Sequence, residues 1–236
     1  MSFLGKNLRF IRQHTGQTLV DFAQHIGVWE DSLRRYERGR EEPNLDTLLG
    51  IADALGMPLD RLLRRDLETE AQRHAQLDIR LVLFDVDGTL TDGSIYYTAE
   101  GDEIKRFNAK DGLIMHRLVS RQRGLTLGLV SGSKAEGLIR RRAEYLGIEH
   151  VYAGARPKTE VVAEWLAELK LSFAQTAFIG DDLNDLPLMK KVGLSACPSD
   201  AARQVRAAVD VVLSQPGGHG CAREFLEEVL GYDVAE

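Results

Sequence analysis

Arg80-Leu-Val-Leu-Phe-Asp-Val-Asp-Gly-Thr-Leu-Thr-Asp92 runs an apolar stretch straight into two aspartates spaced i, i+2, then a glycine and a hydroxyl residue. A short apolar run of this kind reads as a buried strand. Paired carboxylates at its end suit attack on phosphorus beside a metal ion, with Asp85 as nucleophile and Asp87 moving the proton. Gly88 permits a turn tight enough for backbone N–H groups to face a phosphate, with Thr89 next to it. Taken alone, Asp-x-Asp is equally a turn with solvated acids, so the remaining sequence has to decide.

From Ile79 onward, apolar runs alternate with amphipathic stretches: Leu81–Phe84, Leu125–Val130, Ala177–Ile179 and Val209–Leu213. Buried parallel strands joined by helices produce this rhythm, which predicts a Rossmann-like α/β sheet with helices on both faces. Functional groups in such sheets gather where strands end. Leu125–Val130 leads into Ser131-Gly132-Ser133, a hydroxyl with backbone N–H groups for phosphate oxygens. Lys158, after Pro157, offers a cation for the phosphoryl charge and for Asp85. Ala177–Gly180 leads into Asp181-Asp182-Leu-Asn-Asp185, an acidic cluster suited to Mg²⁺, which prefers carboxylate oxygens and substrate phosphate. Each element has a structural explanation of its own; acids at a helix start, for example, satisfy its N–H groups. The chemical reading comes from their conjunction and order.

Upstream, apolar positions Leu8, Ile11, Leu19, Phe22, Ala23 and Ile26 recur at helical spacing, punctuated by Gly16, Gly27, Gly39 and Gly56. Residues 1–66 therefore form a set of short helices, with Pro43 and Pro58 near helix starts. Residues 67–78 are polar and rich in helix formers, which predicts a helical linker to a second domain at 79–236. The chain of 236 residues has a formal charge of −6. Residues 1–66 carry ten Lys/Arg and ten Asp/Glu, so the net negative charge lies entirely downstream. Neither part is basic enough to indicate nucleic acid by charge alone. Cys197 and Cys221 lack metal-site or redox spacing, and no apolar run suits a signal peptide or a membrane span. A cytoplasmic protein with reduced thiols and no membrane partner is expected.

The second domain resembles the haloacid dehalogenase superfamily of phosphohydrolases. Asp85-Val-Asp87-Gly-Thr-Leu matches its first motif, Ser131 its second, Lys158 its third and Gly180-Asp181-Asp182-x-x-Asp185 its fourth. The resemblance implies a two-step reaction through an aspartyl-phosphate on Asp85, with Asp87 as acid and then base. It also implies Mg²⁺ held by Asp85, the Asp87 main-chain carbonyl and Asp181, with Asp182 and Asp185 in support.

A narrower resemblance rests on Phe107-Asn-Ala-Lys-Asp111-Gly112-Leu, Arg142-Ala-Glu-Tyr-Leu-Gly147-Ile and Gly217-Gly-His-Gly-Cys-Ala-Arg223-Glu. These stretches are similar to the capless phosphatases of phosphorylated eight- and nine-carbon keto-sugar acids, such as 3-deoxy-manno-octulosonate 8-phosphate, and to domains fused to sialic-acid cytidylyltransferases. It implies a hairpin in place of a cap, here Ser94–Tyr97 and Glu103–Phe107, and a homotetramer in which the glycine-rich tail helps close a neighbour's pocket. About forty residues separate the first two motifs, too few for a cap of ordinary domain size. The sub-family usually places an arginine after the glycine of the second motif to grip the substrate carboxylate. Here Ser133 takes that place and Lys134 follows, a point charge rather than a fork. Lys110, Arg106 and a neighbour's Arg223 are candidates to supply the contact.

Leu19 to Gly39, continued by Tyr36-Glu-Arg-Gly-Arg40 and Leu45–Leu63, resembles the helix-turn-helix of phage-repressor-type regulators. The start of its second helix, expected to face base edges, reads Trp29-Glu30-Asp31-Ser32. Ser32, Arg34, Arg35 and Arg38 are the candidate DNA-binding residues, with Lys6, Arg9, Arg12 and Arg40 adding to a basic surface. Three functions remain open: a phosphatase of a small phosphorylated sugar with a fused DNA-binding domain, a transcription regulator that uses the phosphatase-like domain as a sugar-phosphate sensor, or an enzyme whose N-terminal domain binds only protein.

Overall fold

The computed structural model describes residues 2–120 and 124–232. It divides into two compact units, Met1–Gln76 and Leu77–Glu236. The last four residues of the expected second domain, 233–236, lie outside the described residues. Among the described residues, no helix is long and apolar enough to cross a membrane.

The first unit consists of α1 (Leu4–His14), α2 (Leu19–His25), α3 (Glu30–Glu37), α4 (Leu45–Ala54), α5 (Leu59–Arg64) and α6 (Leu67–Ala75). Two of them, α2 and α4, start on side-chain caps: Thr18 accepts from the Asp21 N–H at 3.2 Å, and Asn44 from that of Thr47 at 2.9 Å. The apolar faces of α1 to α5 meet in one core in which Leu8, Phe22, Leu33, Ile51 and Leu62 are wholly buried. Helices α1 and α3 approach so closely that a Cβ on Gly5 would run into the Tyr36 carbonyl. Arg12 binds Glu37 through two bonds of 2.6 and 2.9 Å across the same contact.

The helix expected as a linker is an integral part of this unit. Buried Asn7 on α1 donates to the carbonyls of Leu62 (2.8 Å) and Arg65 (2.7 Å) and accepts from the Leu67 N–H (3.1 Å). One side chain thereby satisfies the end of α5 and the start of α6 together. A polar segment looked like a connector because its tether is a hydrogen-bonding side chain sixty residues upstream, which composition does not register.

The second unit is built on strands β1 (Leu81–Phe84), β4 (Thr126–Ser131), β5 (His150–Ala153), β6 (Thr176–Ile179), β7 (Leu194–Cys197) and β8 (Val211–Val212). They form one parallel sheet in the order β5-β4-β1-β6-β7-β8. Alternation along β1 divides the core: Val82 and Phe84 face one cluster, Leu81 and Leu83 the other. Against the first pack α7 (Ala109–Ser120), α8 (Glu136–Leu146) and the short α12 (Cys221–Glu224); against the second, α9 (Lys158–Leu169), α10 (Leu186–Met189) and α11 (Arg203–Ala208). All four β1 side chains are wholly buried, each worth roughly 1.5–3 kcal/mol. The helices cover both faces, as the alternating pattern predicts.

Strands β5 and β7 escape the apolar-run criterion. The first is a half-buried edge strand containing His150 and Tyr152, and the second is made of Leu-Ser-Ala-Cys, small residues that pack without a bulky signature. The expected hairpin is present as β2 (Tyr96–Tyr97) and β3 (Glu103–Ile104), shorter than its sequence limits.

Candidate active site

Strand β1 lies at the centre of the sheet, with β4 on one side and β6 on the other. The chain reverses its winding there, and the crevice beyond the strand ends receives residues from all three. Asp85 follows β1 directly, held by its N–H to the Ile179 carbonyl at 2.9 Å. The next turn, Val86–Leu90, needs Gly88 at φ +80°, where a Cβ would also fall on the Asp181 carboxylate. Ser131 closes β4, Lys158 opens α9 behind Pro157, and Asp181 follows β6. Asp185 sits at the start of α10, its carboxylate accepting from the N–H groups of Asp181 (3.0 Å) and Asp182 (3.3 Å).

Buried Lys158 donates to Asp85 Oδ1 and to Asp185 Oδ1, each at 2.6 Å. Burial works against its ammonium, yet the two carboxylates outweigh that and hold Lys158 above its ordinary value. The opposite balance acts on the acids. Burial, only partly offset by Lys158, pushes Asp85 up to about 6. Burial, joined by the charges of Asp85 and Asp185, pushes Asp181 up to about 8. Asp85, Asp181 and Asp185 each bring a carboxylate oxygen into a set spanning no more than 4.8 Å. Three carboxylates against one ammonium leave a charge of −2 when all are ionised, and every donor is a hard oxygen. This set fits a divalent cation of the magnesium type.

The sequence-derived residues divide by position. Asp85, Asp87, Gly88, Ser131, Gly132, Ser133, Asp181 and Asp182 line one cleft of about 490 Å³, together with Lys134 and Asn184. Lys158 and Asp185 are buried outside its lining and reach it through Asp85. Thr89 does not reach the cleft: it is buried, and its hydroxyl points at Asp181 Oδ1 at 3.5 Å, so it supports an acid rather than a phosphate. Lys110 is exposed on the first turn of α7 and outside the cleft lining. Arg106 turns to Asp92 (2.7 Å), and Arg223 to Glu227 (2.8 Å), four residues further along its own chain. Gly217 and Gly218 are buried against the motif-one turn of their own chain, where a Cβ would strike the Gly88 carbonyl or the Thr91 and Asp92 backbone. These two glycines therefore pack within their own chain.

Two residues that sequence reasoning passed over line the cleft. Lys105, on the hairpin, has its side chain 1% exposed and pairs with both Asp87 and Glu103. The spacing Glu103-x-Lys105 would place both on one face of a strand, but nothing local says that this face meets Asp87.

In the first unit, α3 presents Trp29, 85% exposed, with Asp31 beside it. Much of the basic surface is internally paired: Arg34 with Glu30 (2.6 Å), Arg35 with Glu41 (2.5 Å), Arg12 with Glu37. Ser32 receives a long contact from Arg35 at 3.4 Å. Arg9 and Arg38 carry no ion pair among the described residues, and both line a groove between α1 and α3.

A parallel sheet with Asp-x-Asp behind its central strand, a lysine bridging two buried acids and a further aspartate behind the neighbouring strand defines a phosphohydrolase of the haloacid dehalogenase type. Comparison with known proteins agrees. The family described as haloacid dehalogenase-like hydrolase matches residues 145–225, and that described as helix-turn-helix domain matches residues 4–65. The 3-deoxy-D-manno-octulosonate 8-phosphate phosphatase of Yersinia pestis is 38% identical over 153 residues, covering 65% of this chain and 80% of that protein. A probable yrbi family phosphatase of Pseudomonas syringae has a crystal structure that matches with a TM-score of 0.64 at 42% identity, over 69% of this chain and 90% of that one. The octulosonate phosphatase of Moraxella catarrhalis, crystallised with magnesium, phosphate and 3-deoxy-D-manno-octulosonate, matches at 0.64 and 34% identity, over 70% and 91%. The chain belongs to the family of 3-deoxy-D-manno-octulosonate 8-phosphate phosphatases, with a helix-turn-helix domain fused ahead of the enzyme.

Proposed function

We propose that the second unit hydrolyses the phosphate ester of a small sugar acid, with 3-deoxy-D-manno-octulosonate 8-phosphate as the leading substrate, in a magnesium-dependent reaction. The observation that carries this reading is the buried Asp85–Lys158–Asp185 bridge beside Asp181, with Asp87 on the cleft wall. Lys158 occupies Asp85 Oδ1 and leaves Oδ2 for attack on phosphorus. As that bond forms, the bond to the sugar oxygen breaks and Asp87 gives its proton to the departing alkoxide. Asp87, now a carboxylate, takes a proton from a water that attacks the acyl phosphate, which frees inorganic phosphate and regenerates Asp85. Backbone N–H groups of Gly132 and Ser133, with the Ser131 hydroxyl, receive phosphoryl oxygens. Asp85, Asp181 and the Asp87 carbonyl would hold the magnesium ion, with Asp182 and Asp185 in support; the ion supplies charge neutralisation at the phosphoryl group. Lys134, which follows Ser133 and lines the cleft, receives the sugar carboxylate.

Phosphate release from phosphorylated keto-sugar acids and from ordinary sugar phosphates, with Mg²⁺ and with chelator, tests the reading. Turnover of a sugar acid phosphate that needs Mg²⁺ and falls at least about 10³-fold in Asp85→Asn is expected. A fold-intact protein that releases phosphate from none of these esters refutes it and favours the sensor reading.

The helix-turn-helix unit is proposed to bind duplex DNA, with α3 in the major groove and Arg9, Arg34, Arg35 and Arg38 near phosphates. Support comes from the exposed start of α3, where Trp29, Asp31 and Ser32 are available to base edges. A duplex affinity that falls steeply with salt is expected; no such affinity for any operator-like duplex leaves the unit as a protein-pairing module. We further propose a homotetramer. The hairpin leaves Tyr96 and Ile104 on its outer face and Ile95 and Tyr97 on its cleft face at least half exposed, apolar side chains that a second copy would cover. A monomer in sedimentation would count against it.

A further inference from the structure

The hairpin that replaces a cap domain does more than shorten the loop. Its two strands pair antiparallel, Tyr96 with Ile104 and Tyr97 with Glu103. Side chains alternate along each strand, and the residues that line the cleft are Ile95, Tyr97, Glu103 and Lys105, every second position on both arms. The intervening Ile104 is half exposed, and Arg106 turns outward to Asp92 and to within 3.5 Å of His219. Lys105 is therefore the one hairpin cation on the cleft side. Its side chain is almost wholly buried, with the ammonium held between Asp87 Oδ1 and Glu103 Oε1. Asp87 itself keeps a third of its side chain exposed to the cleft.

We propose, resting on the phosphatase reading above, that Lys105 is a positioning residue for the reaction: anchored by Glu103, it holds Asp87 Oδ1 and so aims Asp87 Oδ2 at the leaving-group oxygen. A carboxyl group on a glycine-containing turn has a free χ2 rotation, and an acid that must meet an oxygen within hydrogen-bond reach loses rate when that rotation is unconstrained. A buried ammonium clamped by a second carboxylate removes the freedom. In a capless enzyme no cap residue is available for the task, and the hairpin takes it over by β alternation.

The experiment compares wild type with Lys105→Met, Lys105→Arg and Glu103→Gln by single-turnover release of the leaving group, which isolates the first step. Two esters are used: an alkyl sugar phosphate, whose alkoxide needs a proton, and p-nitrophenyl phosphate, whose leaving group needs little help. Lys105→Met is expected to slow the alkyl ester by about 10- to 100-fold and p-nitrophenyl phosphate by less than about threefold, with inhibition by orthophosphate unchanged. Lys105→Arg recovers much of the alkyl rate, and Glu103→Gln falls between Met and wild type. Equal losses on both esters, or weakened orthophosphate inhibition with an unchanged single-turnover rate, overturn the proposal, because Lys105 would then support the fold or bind phosphate. Full alkyl activity in Lys105→Met overturns it too. Should Lys105→Met fail to fold, the ester dependence of Lys105→Arg and Glu103→Gln decides on the same criterion. If wild type cleaves neither ester, the phosphatase reading fails, a result distinct from the failure of the Lys105 assignment.

Discussion

Cation affinity should depend on pH in a way that follows directly from the carboxylate cluster. Asp181 titrates near 8 without a cation because it is buried beside Asp85 and Asp185, while Asp85 lies near 6. The proton belongs to the interacting group, but the consequence is simple: a cation that needs both oxygens ionised must displace it. Between pH 8 and pH 6 one proton leaves per cation bound, so affinity falls about tenfold per unit, or roughly 100-fold and 2.7 kcal/mol over the window. Below about 6 a second proton, from Asp85, steepens the dependence. Isothermal titration with Mg²⁺ in buffers of different ionisation enthalpy counts the protons released, and Mn²⁺ serves if Mg²⁺ binds too weakly. About one proton released at pH 7, fewer than half at pH 9, and strong loss of binding in Asp181→Asn are the expected results. Affinity that is flat from pH 6 to pH 8 would refute the argument, since the acids would then be ionised before the cation arrives. Stability follows the same linkage. The folded state keeps a carboxyl proton that the unfolded chain loses near pH 4, so the cation-free enzyme should lose stability as pH rises from about 4 to about 8. Saturating Mg²⁺ should remove that slope.

Other expectations concern single side chains. Gly88→Ala places a side chain at φ +80° and on the Asp181 carboxylate; activity should fall by at least about 100-fold and the second unit should melt earlier, read by kinetics and calorimetry. Asn7→Ala strands the Leu62 and Arg65 carbonyls and the Leu67 N–H, and should cost the first unit about 2–4 kcal/mol in denaturant titration while phosphatase activity stays near wild type. Arg38→Ala should reduce the slope of log affinity for duplex DNA against log salt by about one, whatever the sequence of the duplex.

The legible parts of this protein are those whose physics is local. A buried parallel strand needs an unbroken apolar run, so Leu81–Phe84 announces the centre of the sheet, and motif residues at strand ends inherit their place from that run. Glycines at positive φ and apolar residues at helical spacing likewise mark the turns and the core of the first unit, from Leu8 to Ile26. Strands β5 and β7 were hidden because edge exposure and small residues erase the apolar signature. What a side chain does once the chain has folded back was hidden as well. Thr89 reads as a phosphate ligand and instead faces Asp181; Arg106 and Lys110 look like substrate cations and lie outside the cleft lining.

The sequence alone determined the α/β architecture, the order of the acid pair, hydroxyl, lysine and acid cluster, and the fused helical domain, because periodicity and turn chemistry act over a few residues. Tertiary structure alone decided that Lys158 bridges Asp85 and Asp185 from 73 and 27 residues away, that Asn7 binds α6 into the first unit, and that Lys105 meets Asp87. Those contacts depend on which strand ends the sheet order brings together and on how the hairpin folds back, and long-range geometry of that kind leaves no periodic trace in the chain.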